Sequence, residues 1–464
     1  MRGSLASMIA QLAGARMTQN AHFESVSTDS RTAGPGALFV ALRGESFDGH
    51  DFLQQVAAGG AAAVVLEQLP EGWTLPAIVV PNTLVALGQI ANFWRGQFDI
   101  PLIGVTGSNG KTTVKEMIAA ILAAAYGDAG RLATSGNLNN EIGVPLTLMR
   151  LDGAHRAAVV ELGMNHPGEI ARLAAIAAPT IAMVNNAQRE HQEFMHTVEA
   201  VARENGAVIA GLGRDGIAVY PGDDAYTLLW QSMAQGRGQR RVVTFGLDQD
   251  CNVSCSHRAS EFGSELLVTV RSGGDADQQF PLRLAAAGLH NVRNALAAIA
   301  CTLAAGVRQE AIVRGLEAFM PVSGRLQRKL AACGATVIDD SYNANPDSVR
   351  AAIDVLAQAA QPRILVLGDM GEVGAQGRQF HEEIAAYAAS CGIDTVFATG
   401  ELARHMGAPG TRHFEQFDEL LAALDLTLGS KSDATVLVKG SRFMKMERVV
   451  QHLLRSHNTG KDAH

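Results

Sequence analysis

Apolar positions along the chain switch between two rhythms: short continuous aliphatic runs, and stretches where apolar residues recur every third or fourth position. In residues 1–98 the runs Ala37-Leu38-Phe39-Val40-Ala41 and Ala62-Ala63-Val64-Val65-Leu66 read as strands flanking a helical stretch at 51–59, a small α/β unit. Ahead of them Leu5, Met8, Ile9 and Leu12 fall at helical spacing, interrupted by Ser7 and Gln11. That predicts an amphipathic helix and not a signal sequence. From Pro101 the strand Leu102-Ile103-Gly104-Val105 enters a glycine-rich turn and a helix over Lys111–Tyr126. Strand and helix patterns then alternate at Ala157–Glu161, Glu169–Ala177, Ile181–Val184, 198–212 and 217–220, the rhythm of a parallel sheet covered by helices. Over 252–284 the residues alternate instead around turn signals such as Arg271-Ser272-Gly273-Gly274. Antiparallel strands added to the sheet are expected there, followed by helices at 290–305 and 309–319. After Pro321 the alternation restarts, with strands at Thr336-Val337-Ile338-Asp339, 363–367, 395–398 and 435–438, a Rossmann-like rhythm. The polar tail 456–464 lacks periodicity and is expected to fray.

The expected fold class is therefore α/β in three domains: 1–98, 99–320 and 321–464. A length of 464 residues agrees, since one core serves roughly 150. Apolar residues at 47% and charged residues at 18% place each unit among ordinary globular domains. A formal net charge of -8 argues against a general nucleic-acid binder, which needs a basic face, but leaves small anionic substrates open. Five cysteines form no paired CxxC pattern, so reduced thiols are expected; Cys251, Cys255 and His257 are a poor match to zinc spacing. No apolar run approaches the roughly 20 residues that cross a bilayer. A cytoplasmic monomer without membrane or nucleic-acid partners is expected.

The segment Thr106-Gly107-Ser108-Asn109-Gly110-Lys111-Thr112-Thr113 joins a buried strand to a helix. Glycines there let backbone N–H groups wrap phosphate oxygens at a helix N-terminus. Lys111 would reach the β and γ phosphates of ATP, and the Thr112 hydroxyl would hold Mg²⁺. Val105 stands where the strict pattern wants glycine, so the loop is a variant. By itself such a turn does not separate a kinase, an ATPase and a ligase.

This loop, followed by ELGMNHPGEI, GLHNVRNALAA, SGRLQ and DDSYNANP, resembles the Mur ligases and, more distantly, the folylpolyglutamate synthases, with motif order matching over nearly the whole chain. TDSRTAGPGALFVALRGESFDGHDF looks like the UDP-binding domain of the third and fourth ligases of that pathway. TSGNLNNEIGVPLTL, DDSYNANPDS and VKGSRFMKME look like the versions in the last ligase. The resemblance implies a UDP-substrate domain, a central ATP-binding domain and a C-terminal domain for the incoming amine. It also implies an ATP- and Mg²⁺-dependent ligase that adds D-alanyl-D-alanine to a UDP-linked muramoyl tripeptide through an acyl phosphate.

Matched residue by residue, the resemblance makes Glu161, at the ligand edge of the sheet, a Mg²⁺ ligand, although a carboxylate there could also cap a helix. His191 matches a histidine associated with a second magnesium, with Glu190 and Glu193 as nearby substitutes. Asn291 and Asn294, three apart at a helix start, would read adenine; capping is the plainer role for Asn291. Arg325 would meet a phosphate when the domains close, and Asp340 would hold ribose or metal-linked water beside Tyr342, Asn343 and Asn345. Ser30, Arg31, Asn137, Asn139 and Asn140 would take the UDP substrate; Lys439, Ser441 and Arg442 would take the dipeptide carboxylate or the tripeptide. One departure stands out. Many Mur ligases carry a carbamylated lysine in a Lys-Gly-Glu segment, whereas this chain reads Asn205-Gly206-Ala207, so Asn205, Glu204 or water would have to replace it. The rival readings are the sibling ligase adding diaminopimelate or lysine, a polyglutamylating enzyme, a small-molecule kinase, and a nucleotide-binding module without ligation.

Overall fold

The computed structural model describes residues 1–44, 46–236, 240–260, 262–271, 276–429 and 433–455. The predicted turn at Ser272-Gly273-Gly274 and the tail 456–464 lie outside these residues. Three large sheets follow one another along the chain, after a two-stranded pair formed by Gly3–Ser4 and His22–Phe23.

The first sheet runs in the order Arg16–Met17, Ala77–Val79, Ala63–Leu66, Ala37–Val40, Ser25–Ser27, parallel except at its first pair. Its central strands are buried on both faces because side chains alternate between two cores. Phe39, Val64 and Leu66 enter one; Leu38, Val40, Ala63 and Val65 enter the other, which continues into the middle of the molecule. Each of the valine, leucine and phenylalanine side chains contributes roughly 2 kcal/mol by leaving water. The N-terminal periodic stretch is too short for a regular helix and breaks into one α turn, Leu5–Met8, and one 3-10 turn, Ile9–Gln11. Leu5, Met8 and Leu12 are nevertheless buried.

The middle sheet has nine strands, in the order Gln278–Leu284, Gly263–Val270, Val253–Ser260, Arg241–Phe245, Ile217–Pro221, Ile181–Val184, Leu102–Thr106, Ala157–Glu161, Arg131–Ala133. It is parallel from Arg131–Ala133 through Val253–Ser260; the last three strands pair antiparallel. The chain leaves Leu102–Thr106, builds Arg131–Ala133 and Ala157–Glu161 on one side, then crosses to Ile181–Val184 on the other. The carboxyl end of Leu102–Thr106 is thus a topological switch point, where open α/β sheets leave a crevice. Helices Lys111–Tyr126 and Leu289–Ala304 cover one face, sharing a core with Ile103, Val105, Val159 and Met183. Helix Thr83–Arg95, absent from the predicted elements although its apolar residues fall at helical spacing, packs on the other face beside Gly143–Leu148 and Glu169–Ala177.

The third sheet has the order Gln327–Leu330, Thr336–Asp340, Thr435–Lys439, Arg363–Gly368, Thr395–Thr399, Thr411–Phe414, with only Gln327–Leu330 antiparallel. Thr435–Lys439 lies between Thr336–Asp340 and Arg363–Gly368, so a second switch point falls beside Asp340 and Lys439, which are register partners. Arg131–Ala133 and Gln327–Leu330 escape sequence reading because they are edge strands of only three and four residues.

Candidate functional site

The phosphate loop begins where Leu102–Thr106 ends. Gly107 (φ 134°) and Gly110 (φ 81°) have left-handed backbones, and a Cβ at Gly110 would lie 2.4 Å from Asn294 Oδ1. Only glycine fits there. The Gly107 N–H donates to Asn205 Oδ1 (3.0 Å) and the Asn109 N–H to Asn186 Oδ1 (2.9 Å), which fixes the loop's first half. Helix Lys111–Tyr126 starts at Gly110 with no side-chain cap, leaving its first-turn N–H groups aimed into the crevice. Lys111 Nζ donates to the Gly107 and Ser108 carbonyls and to Glu190 Oε1 (2.9 Å).

Glu161 ends the neighbouring strand and is 2% exposed. Asn139 Nδ2 donates to its Oε1 (2.9 Å), while Oε2 has no hydrogen-bond partner. Glu190 Oε2, also buried, has none either. Burial alone would raise the Glu190 carboxyl, but the Lys111 and His191 charges beside it hold it below the ordinary carboxylate range. Burial would likewise lower His191; the Glu190 carboxylate and Glu372, 2.5 Å from Nδ1, instead push it up to about 9. In this arrangement His191 lies between two carboxylates.

An asparagine ladder closes the other end of the loop. Asn185 Nδ2 donates to the Asn109 carbonyl (2.7 Å) and to Asn294 Oδ1 (2.9 Å), and Asn294 Nδ2 donates to Asn291 Oδ1 (3.1 Å). Asn291 is not a helix cap: its Nδ2 donates to the Ala287 carbonyl (2.7 Å), and Gly288 is the N-cap. Apart from Asn185 Oδ1, which is buried without a hydrogen-bond partner, the ladder's amides bond within the protein, so a base beside them would meet a shaped wall. Arg293, paired with Asp223 through two bonds of 2.7 and 2.9 Å, lines the same end with Phe245.

The C-terminal unit supplies the opposite wall. Arg325 Nη2 donates to the Thr112 hydroxyl (3.0 Å), and its guanidinium stacks 4.4 Å over Tyr342. Asp340 Oδ2 accepts from Lys439 Nζ (2.6 Å) and Oδ1 from the Leu326 N–H (3.1 Å); Lys439 also donates to the Asn343 carbonyl (2.8 Å). Asn345 caps helix Pro346–Ala357 in a capping box with Ser348, and its Nδ2 donates to Asn109 Oδ1 (2.9 Å) across the domain seam.

A cavity of about 830 Å³ lies between these walls. Asn109, Gly110, Lys111, Thr112, Thr113, Asn137, Asn139, Asn140, Glu161, His191, Asn291, Asn294, Arg325, Asp340, Tyr342, Asn343, Asn345 and Lys439 line it. Gly107 and Ser108, in the first half of the loop, do not line the cavity. Ser441 is buried beneath it, bonded to the Ala344 carbonyl (3.1 Å), and Arg442 turns outward to Glu447 (3.0 Å). Ser30 and Arg31 lie outside this cavity, on a loop of the first unit, where the exposed Arg31 pairs with Asp29 (2.7 Å). Glu204, a suggested replacement for the carbamate, is spent elsewhere: it accepts the Gly168 and Ile170 N–H groups, each 2.8 Å, at the start of helix Glu169–Ala177. Asn205 holds the phosphate loop. Sequence reading passed over Asn185 and Asn186, whose position just after an apolar parallel strand was a signal, and Asp347 and Glu372, which carried none.

Three family models match the chain: Mur ligase family, catalytic domain, over residues 22–95; Mur ligase middle domain, over 105–302; and Mur ligase, glutamate ligase domain, over 324–442. The chain is 40% identical over 445 residues to UDP-N-acetylmuramoyl-tripeptide--D-alanyl-D-alanine ligase of Escherichia coli (strain K12), covering 96% of this chain and 95% of that one. The protein of the same name from Bacillus subtilis (strain 168) is 35% identical over 449 residues, 93% of each chain. Among solved structures, a crystal structure of MurF from Acinetobacter baumannii superposes with TM-score 0.89 at 33% identity, covering 97% of this chain and 98% of that chain.

Proposed function

The chain belongs to the Mur ligase family, and on that premise we propose that it adds D-alanyl-D-alanine to UDP-N-acetylmuramoyl-tripeptide at the expense of ATP. The products are UDP-N-acetylmuramoyl-pentapeptide, ADP and phosphate, a cytoplasmic step in making peptidoglycan precursors. The observation that carries this reading is the meeting, around one cavity, of the phosphate loop, Glu161 and the C-terminal residues Arg325, Asn345 and Lys439, beside near-full-length similarity to ligases of that name.

In the first step a carboxylate oxygen of the tripeptide attacks the γ-phosphorus of ATP and ADP leaves. In the second the dipeptide nitrogen attacks the acyl carbon, phosphate leaves, and the nitrogen gives up a proton. Both steps gather negative charge on oxygen, which favours fixed cations over a covalent nucleophile. Lys111 and the uncapped helix N-terminus would cradle the β and γ phosphates, and Arg325, already at Thr112, would follow the transferred group. The partnerless oxygens of Glu161 and Glu190 fit a hard cation, so Mg²⁺ would be held by Glu161 and Thr112, with Glu190 and His191 beyond. Among the described residues no group of three or more His, Cys, Asp or Glu side chains is placed to hold a metal ion by itself, so phosphate oxygens and water would have to complete its shell. When bound, it supplies charge neutralisation on the phosphate oxygens.

Residues 1–98 would hold the UDP end through Ser30 and Arg31, 99–320 the nucleotide, and 321–464 the dipeptide. Asn137, Asn139 and Asn140 would lie along the tripeptide, and Asn291 and Asn294 beside adenine. Lys439, with Tyr342 and Asn343, would face the dipeptide, and Arg442 would reach it only by leaving Glu447, while Ser441 braces that wall. No helix among the described residues is long and apolar enough to cross a membrane.

The test is incubation with ATP, Mg²⁺, the UDP-linked tripeptide and D-alanyl-D-alanine, following phosphate and identifying the product by mass, with Lys111→Ala alongside. A UDP-linked pentapeptide that the variant does not make is expected. Preference for a free amino acid would move the chain to a sibling step, and no turnover would remove ligation altogether.

A further inference from the structure

The segment from Gln188 to Glu193, just past strand Ile181–Val184, divides its contacts by alternate residues. Gln188 and Glu190 serve the phosphate loop. The Gln188 N–H donates to Ser108 Oγ (2.9 Å), its Oε1 accepts from Asn109 Nδ2 (2.6 Å), and Glu190 Oε1 accepts from Lys111 Nζ (2.9 Å). Arg189, His191 and Glu193 serve the C-terminal unit. The Arg189 backbone N–H donates to Asp347 Oδ2 (2.8 Å), its Nε and Nη2 to Asp347 Oδ1 (3.0 and 2.6 Å), and its Nη1 to Glu383 Oε2 (2.8 Å). His191 faces Glu372, and the Glu193 N–H donates to the Glu372 carbonyl (3.2 Å). The backbone turns as it leaves the strand, with His191 in the left-handed region (φ 49°) and Gln192–Met195 in a short helix, so one short piece of chain touches both partners.

We propose that Arg189 is a positioning residue for the second half-reaction: through Asp347 and Glu383 it seats the C-terminal unit on the strip that also holds Lys111 and the phosphate loop. This rests on the reading of the C-terminal unit as the amine-binding one. The guanidinium forks between the first turn of helix Pro346–Ala357 and the middle of helix Gly377–Ser390, a two-point grip that fixes orientation as well as distance. Arg350 adds a second cation to Glu383 (3.1 Å), and Phe380 lies 5.3 Å beneath the Arg189 guanidinium. The Arg189, Asp347 and Glu383 side chains are 24%, 22% and 32% exposed, half-shielded ion pairs that can part and re-form without stranding a buried charge. Losing the grip leaves Gln188 and Glu190 on the phosphate loop, so nucleotide binding and acyl-phosphate formation persist while the amine arrives misaligned. A 1 Å misplacement is enough to slow an attack that depends on near-contact geometry.

The experiment measures phosphate released and pentapeptide formed by the full-length enzyme, its Arg189→Ala, Arg189→Lys and Glu383→Gln variants, with KM for ATP and for D-alanyl-D-alanine. For Arg189→Ala the KM for the dipeptide should rise about tenfold and that for ATP change less than about twofold, with phosphate release exceeding amide formation. Glu383→Gln, outside the cavity, should shift the same parameters the same way by about threefold, and Arg189→Lys should recover part of the coupling. Unchanged dipeptide KM and coupling in both Arg189→Ala and Glu383→Gln would overturn the inference, as would an equal rise in both KM values. A wild-type enzyme that makes no pentapeptide would remove the reading and the inference together.

Discussion

Two strand-end carboxylates face the cavity from opposite walls, and they are satisfied in different ways. Asp340, at the end of Thr336–Asp340, meets Lys439 at 2.6 Å and the Leu326 N–H at 3.1 Å, so its charge is balanced within the C-terminal unit. Glu161, at the end of Ala157–Glu161, has only the neutral Asn139 amide and an oxygen without a partner. A buried carboxylate half-satisfied by neutral donors costs stability, and that cost is recovered when a cation arrives. Both are buried and both end a strand of a parallel sheet, which does not give them the same job. On the proposed reading, Asp340 would brace a wall and Glu161 would meet a cation.

The largest expected effect separates them by activity. Glu161→Gln keeps the Asn139 contact but removes the charge; turnover should fall about 10³-fold, with the melting temperature unchanged or raised. A drop smaller than tenfold would refute the cation role. Next is stability: Asp340→Asn leaves Lys439 buried beside a neutral amide and should cost about 3 kcal/mol in urea unfolding, recovered by adding Lys439→Met. If the double variant is no more stable than the single one, the internal-pair account fails. Third, Mg²⁺ with ATP should raise the melting temperature of the wild type by a few degrees, equivalent to about 2 kcal/mol when well above its dissociation constant, and chelation should reverse it. Asp340→Asn should keep most of that response and Glu161→Gln lose it; equal responses would erase the contrast. The smallest effect concerns the seam. Asn345→Ala removes the cap of helix Pro346–Ala357 and the bond to Asn109, costing about 1 kcal/mol. A differential scanning trace that does not move would show the cap to be dispensable.

Much of the architecture could be read directly. Lys111–Tyr126, Ala157–Glu161, Glu169–Ala177 and Ile181–Val184 form over the residues their periodicity predicts, because burial on a helix face or in a parallel sheet imprints a local pattern. The antiparallel strands Val253–Ser260, Gly263–Val270 and Gln278–Leu284 were legible for the same reason. Helix Thr83–Arg95 carries the same kind of pattern, with Thr83, Ala86, Leu87, Ile90 and Ala91 buried at helical spacing, and was equally legible although it does not figure among the predicted elements.

What the sequence alone determined is whatever neighbouring residues specify together: the rhythm of strands and helices, the glycines of the phosphate loop, and the lysine and threonine that open its helix. Only the tertiary structure decided the partnerships. Arg325 meets Thr112 from 213 residues away, Arg189 meets Asp347 from 158, and Lys439 meets Asp340 from 99. The same holds for the uses of individual groups: Glu204 as a helix cap, Asn205 as a brace for Gly107, Asn291 as a backbone tie. A side chain's chemistry is written in its own position, but its partner depends on how sheets register and domains dock, and no local spacing records that distance.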